Sequence, residues 1–332
     1  MSGIWSRIFG GGGAAGARAE EAVERVVQLA NPKLRLARRY RARLAPAVQG
    51  ALDYIAKLVA ALPGAREASS AAWAADPYIH AFFARPEDLL QAFSRAGDLR
   101  AHFERHPGAS EAYGVLGMEM TERRVLGTAL EGEAVLRGVA QTTVSFADHR
   151  VRICAESEHA LRRELERRLL DQLALEALGR TASDEARRTE LEQERALLKT
   201  RVRLLERQGA GMRAALAGDA PASAELARLQ AGLEENTKAL DALGVGSQAL
   251  GAELERLRAI LADPSQYLFV SRKSLRLDRL NVVAEGGAAL DFEVARVPGD
   301  PPLTRAFALV RIPRSALLPR GQLLDDAARL LA

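Results

Sequence analysis

Leucines at 226, 229, 233, 240, 243, 250, 254, 257 and 261 recur at alternating steps of three and four once Asn236 and Ser247 fill the gaps. A seam at that spacing commits a helix to burying one edge against another helix, which restricts the fold more tightly than anything else in the chain. The same phase runs upstream through Leu191, Leu198, Val202, Leu205 and Met212. Between the two runs lies Gly218-Asp219-Ala220-Pro221, a helix stop followed by a helix start, so a turn is expected near 218–222. Folding the chain back about residue 219 pairs Met212 with Leu226, Leu205 with Leu233 and Leu198 with Leu240. Asn236 then faces Val202 of the same chain, where a core asparagine fixes register at some cost in stability.

Towards the base of this antiparallel coiled-coil hairpin the partner turns polar. Leu243, Leu250 and Leu254 face Arg195, Arg188 and Asp184, so Leu250, Leu254, Leu257 and Leu261 need another cover. Two candidates are the segment carrying Leu161, Leu165, Leu169 and Leu173, if the chain bends near 179–183, and a second copy of the protein. Arms of about 40 residues span about 60 Å, the reach of a spacer or docking arm.

The hairpin interrupts a strand-rich region. TTVSF (142–146) and RVRIC (150–154) read as a β-hairpin turning at Ala147-Asp148-His149, and strand character returns in YLFV (267–270), LDFEV (290–294) and FALVRI (307–312). Each piece is marginal as a sheet by itself, so the economical reading is one β domain split in sequence. The expected fold is α+β and predominantly α. Its parts are an amphipathic tip and glycine linker (1–13), an N-terminal helical module (14–108), a split antiparallel β domain (109–155 plus 266–318), the helical excursion (156–265) and a C-terminal helix (319–332). Within the module, Tyr40, Leu44, Val48, Leu52, Ile55, Val59 and Leu62 form a helical stripe, with Pro46 as a kink or a restart.

Composition narrows the functional classes. Aromatic residues are 5% and charged residues 27% of 332, which suits long helices, and only five of the 47 basic residues are lysine, as in a GC-rich bacterial genome. The net charge of +4 does not imply a nucleic-acid coat. A single cysteine, Cys154, excludes an intrachain disulfide and fits a cytoplasmic protein. The N-terminus has no apolar stretch of signal-peptide length. Residues 44–64 have spanning length, but Asp53 and Lys57 near their centre favour an amphipathic soluble helix.

No catalytic or cofactor signature emerges. Gly11-x-Gly13-x-x-Gly16 matches a dinucleotide loop only formally, since no strand pattern precedes it. His102 and His106 sit four apart on one helix face, a zinc-compatible spacing that lacks a third ligand; the helix dipole accounts for His106 as simply. Cys154 beside His149 reads as strand packing and a polar turn.

The basic run carries more. Seven basic residues fall between 25 and 43, and no acid occurs between Glu24 and Asp53. On one continuous helix Arg35, Arg38, Arg39 and Arg43 would lie opposite the Tyr40 stripe, either as a solvated face or as an anion-binding surface. Trp5 and Phe9 in the apolar tip suit a membrane interface. The expected protein is therefore a non-enzymatic coiled-coil scaffold, with no cofactor and no small-molecule substrate. It binds a protein partner or itself, and its second partner is the inner membrane surface. A nucleic-acid-associated protein using residues 33–43 is the alternative, and a metal-dependent enzyme stands third.

Overall fold

The computed structural model describes residues 12–131, 134–209, 220–243, 247–297 and 303–319. The protein is mixed α and β, 60% helical and 26% strand. It divides into two compact units, each drawing on distant parts of the sequence: residues 1–51 with 171–263, and residues 52–170 with 264–332. The expected N-terminal module is thus shared between them at Leu52. Trp5, Phe9, Met212, the turn at 218–219 and the C-terminal helix lie outside the described residues.

The first unit is helical. Helix α1 (Gly12–Ala30) ends at Asn31, whose side chain accepts from Lys33 N and starts the 3-10 turn Pro32–Leu36. Helix α2 (Tyr40–Ala60) contains Pro46 without restarting there. Helix α7 (Glu158–Gly209) is continuous, so the bend considered near 179–183 does not occur. A lone mid-helix glycine such as Gly179 costs only about 1 kcal/mol, too little to stop a helix flanked by good helix formers. The returning arm is α8 (Ala220–Ala242) and α9 (Ser247–Ala262). Leu254, Leu257 and Leu261 are buried, and α9 packs on the 3-10 turn. Asn31 donates to the Glu253 carboxylate at 2.9 Å and Arg43 to Glu255 at 2.6 Å. The N-terminal segment of the same unit thus lies against α9 beside these leucines, and Leu173 of α7, from the segment considered as their cover, is buried as well.

The second unit is built on one sheet. Start signals divide residues 69–105 into four short helices. Ser69 accepts from Ala72 N ahead of α3 (Ser70–Ala75), and Asp76 from Tyr78 N ahead of α4 (Pro77–Phe82). Pro86 opens α5 (Pro86–Arg95), and α6 (Gly97–Arg105) follows. The strands are β1 (Arg66–Glu67), β2 (Glu111–Glu131), β3 (Ala134–Ala155), β4 (Phe269–Leu277), β5 (Ala288–Val297) and β6 (Leu303–Pro313). Their order is β3-β2-β6-β5-β4, antiparallel throughout except that β1 adds to β6 in parallel. One face packs Leu116, Met118, Val144, Phe292 and Val310 against Phe82, Phe83, Phe93 and Phe103 of α4–α6. The other gathers Tyr113, Val115, Phe307 and Leu309 around Leu161 of α7.

The turn expected at Ala147-Asp148-His149 is instead a bulge inside β3. Gly117 pairs with Arg150 and Glu119 with Ala147, so the extra residue is absorbed where Asp148 adopts φ 49°. Asp148 is held there by Arg150 at 3.0 Å, and its carbonyl accepts from Arg305 at 3.0 Å. A second bulge sets Ile153 at φ 57° opposite Gly114, where an added Cβ would come within 3.0 Å of Val151. The two edge strands are joined by the β4–β5 connection. Asp278 accepts from Leu280 N and Val282 N, Val283 bridges to Leu277, and Val144 N donates to Asn281 O at 2.9 Å. Val283 N reaches Thr142 O at 2.8 Å, which closes the sheet into a ring at this level.

Candidate functional site

The basic segment does not form one helix face. Arg35 lies in the 3-10 turn, Arg38 and Arg39 in the turn that follows, and only Arg43 in α2. Two local causes break the helical spacing. Asn31 starts a 3-10 turn, and Arg39 takes φ 56°, a left-handed conformation that cannot propagate a helix. Several of the bases are neutralised at close range. Glu24 receives Arg35 at 3.1 Å, Arg41 at 2.8 Å and the Tyr40 hydroxyl at 2.6 Å, and its carboxyl is held below the usual range chiefly by that hydroxyl. Arg43 pairs with Glu255. Lys33, Arg38 and Arg39 are exposed and have no ion-pair partner among the described residues. Leu36, between them, is 79% exposed, while Leu34 is fully buried. The sequence pattern hides Leu36. Four residues before Tyr40, it continues the apolar stripe, and the 3-10 turn and the left-handed Arg39 together take it off that face.

In the helical arm Asn236 is buried, but its neighbour is not Val202. Its Nδ2 donates to Leu191 O at 3.0 Å and to Glu194 Oε2 at 2.9 Å, a heptad or more away from Val202. Leu191 and Leu240 are both buried, Gly232 abuts Leu198, and Arg188 reaches Leu243 O at 3.1 Å. The error has a simple origin: sliding one heptad past another keeps every apolar position in phase, so periodicity cannot choose between the two pairings. Leu254 is buried and Leu250 half-buried, while Val202 is also half-buried. Leu197 and Leu204, one heptad apart, are each 55% exposed.

The titratable candidates are engaged in packing. His102 is 2% exposed, its Nε2 has no hydrogen-bond partner, and burial, then His106 and Arg105, lowers its pKa. His106 lies 4.8 Å away ring to ring and ends α6, yet no group of three potential metal ligands exists among the described residues. His149 donates to Phe82 O at 2.7 Å and stacks on Phe83, and burial lowers its pKa. Burial pushes the Cys154 thiol up to about 12, the opposite of what a nucleophile needs. His80 lies between Arg279 O at 3.1 Å and Trp73 O at 3.3 Å. A cleft of about 460 Å³ beside the β3 bulge is lined by Arg95, Arg150 and Arg152 but also by Asp88 and Asp148. Arg150 and Arg152 are paired there with Asp148 and Asp98.

No described helix is long and apolar enough to cross a membrane. No protein-family model matches the chain, and neither does any curated protein or solved structure.

Proposed function

We propose that this protein is a non-enzymatic interaction or scaffolding protein, peripheral at an anionic membrane surface, whose α7–α8 arm is an antiparallel coiled-coil hairpin inserted in sequence into a split β domain. The observation that carries the reading is the polar layer at Asn236. Its bonds to Leu191 O and Glu194, with Gly232 against Leu198, support a register with Leu191 opposite Leu240 and Leu198 opposite Leu233, one heptad removed from that read in the repeat. Helical arms at that spacing need no ligand to be stable, and their outer faces are free to recruit a partner. Leu197 and Leu204 supply an apolar outer stripe. The split domain draws support from strands on both sides of the excursion sharing one sheet. Cys154, His149 and His102 speak against catalysis, because burial disfavours the charged form of each.

A photo-crosslinking residue placed at Leu197 or Leu204 of the full-length protein, in living cells, tests the arm. Discrete adducts to one protein, or to a second copy, are expected at these positions and not at exposed Arg187. Equal, diffuse labelling at all three would remove the scaffold reading.

A further inference from the structure

The turn between α1 and α2 presents an apolar tip inside a ring of uncompensated charge. We infer that it docks on an anionic lipid surface, with Leu36 entering the headgroup layer and Lys33, Arg38 and Arg39 meeting lipid phosphates. The inference rests on the peripheral-membrane part of the proposed function and names the side chains that would perform it.

Backbone geometry builds the tip. Side chains three apart in a 3-10 turn eclipse one another, so Lys33 and Leu36 stand in one outward column while Leu34 anchors the other side in the core. The left-handed Arg39 then turns the chain, with Tyr40 N bonded to Ala37 O and Arg43 N to Arg39 O. Asn31, tied to Glu253, fixes the turn to α9. A leucine exposed at 79% on so constrained a turn gains nothing from the fold, and a lipid surface removes it from water.

Electrostatics select the same partner. Helix N-termini carry positive partial charge and favour acidic residues, yet the first turn of α2 holds no acid and two arginines. Glu24 and Glu255 offset Arg35, Arg41 and Arg43, which leaves the charge of Lys33, Arg38 and Arg39 and the helix terminus facing outwards. That arrangement costs folding stability and is relieved by an anion. A nucleic acid would satisfy the charges but offers no apolar slot for Leu36. Tyr40, the aromatic residue of the segment, has its hydroxyl bonded to Glu24 and Arg41 over its ring, so it is not presented for base stacking.

The test is sedimentation of the full-length protein with vesicles of phosphatidylcholine alone or with about one third phosphatidylserine. Wild type should bind the anionic vesicles only, and less as salt rises. Each basic side chain near such a surface is worth about fivefold, so changing Lys33, Arg38 and Arg39 together to Gln should weaken binding about a hundredfold. Leu36→Gln should weaken it about tenfold with the net charge unchanged, while leaving any binding to duplex DNA as it was. All the substituted side chains are exposed, so unchanged melting confirms that loss of binding is not loss of fold. Three outcomes overturn the inference. One is binding lost only on changing Trp5 and Phe9 to Ala. A second is no vesicle binding by wild type at low salt. The third is duplex DNA bound more tightly than vesicles and indifferent to Leu36. None of them touches the arm, whose own crosslinking test stands or falls separately.

Discussion

The β2–β3 ribbon and the α7–α8 arm are both antiparallel pairs, and they specify their alignment in opposite ways. In the ribbon a slip of one residue moves every side chain to the wrong face, so Phe146 and Val144 would leave the core they share with Phe82 and Phe292. The three bulges, at Gly138, Asp148 and Ile153, therefore fix the pairing to the residue. In the arm, on the proposed coiled-coil reading, a slide of seven residues would leave the apolar seam in phase, and the polar layer at Asn236 would do the choosing. Period and register are separate pieces of information, and only the ribbon carries both in its local pattern.

The difference should be largest when a single residue is removed. Deleting Asp148 takes out the bulge and forces residues 134–147 one step out of register, burying polar groups and exposing Val144 and Phe146. A loss of about 4 kcal/mol or more is expected in urea unfolding followed by tryptophan fluorescence, since Trp73 packs against that core. A deletion mutant with wild-type stability would mean that the bulge does not set register.

Acid should separate the two units next. Folding lowers the pKa of His102 and His149, so below about pH 6.5, the ordinary histidine value, the unfolded chain binds protons that the folded sheet unit resists. Stability is full above that pH and falls as pH drops towards the folded values. Residues 171–263 contain no histidine, so the arm should not share this loss. Hydrogen exchange at pH 7 and pH 5 would resolve the units, and His149→Phe should flatten the response of the sheet. Uniform loss of protection in both would contradict the assignment.

The smallest effect is expected in the arm. Asn236→Leu removes a layer in which Asn236 Oδ1 and Arg195 Nε are buried without partners, and should raise stability by about 1 kcal/mol. It should also loosen alignment. With Cys154 replaced, a cysteine pair at 191 and 240 should crosslink within the monomer and a pair at 202 and 236 should not. In the Asn236→Leu background, a pair at 202 and 229 should compete with pairs one heptad away. Ready crosslinking of 202 to 236 in the otherwise wild-type arm would restore the alignment first read from the repeat.

Legibility followed the range over which each signal acts. Strands with alternating side chains, 290–294 and 307–312, were readable because the face of a sheet is written in steps of two. Residues 147–149 misled because a left-handed Asp148 serves a bulge as well as a turn. The basic face misled for a related reason: Arg39 leaves the helix at a residue whose type gives no warning. The contact between the N-terminal segment and α9 was invisible because Asn31 and Glu253, which meet there, are separated by most of the chain. Leu36 could be recognised as exposed only once the 3-10 turn was known.

The strand order has a consequence for biosynthesis. β6 is paired on both long sides, with β2 and β5, yet it is the last of the described strands to leave the ribosome. Until residues 303–313 appear, β2 and β3 have each other but no sheet, and Thr143 must wait for Val282 across the entire helical excursion. The arm, made of local contacts, can form while that wait continues. During synthesis the ribbon's edge is thus open for the time needed to translate roughly 150 residues, about ten seconds or more at cellular rates. A chain stalled before β6 would present that edge to its neighbours, and chaperone dependence should rise sharply for any truncation that stops short of Leu303.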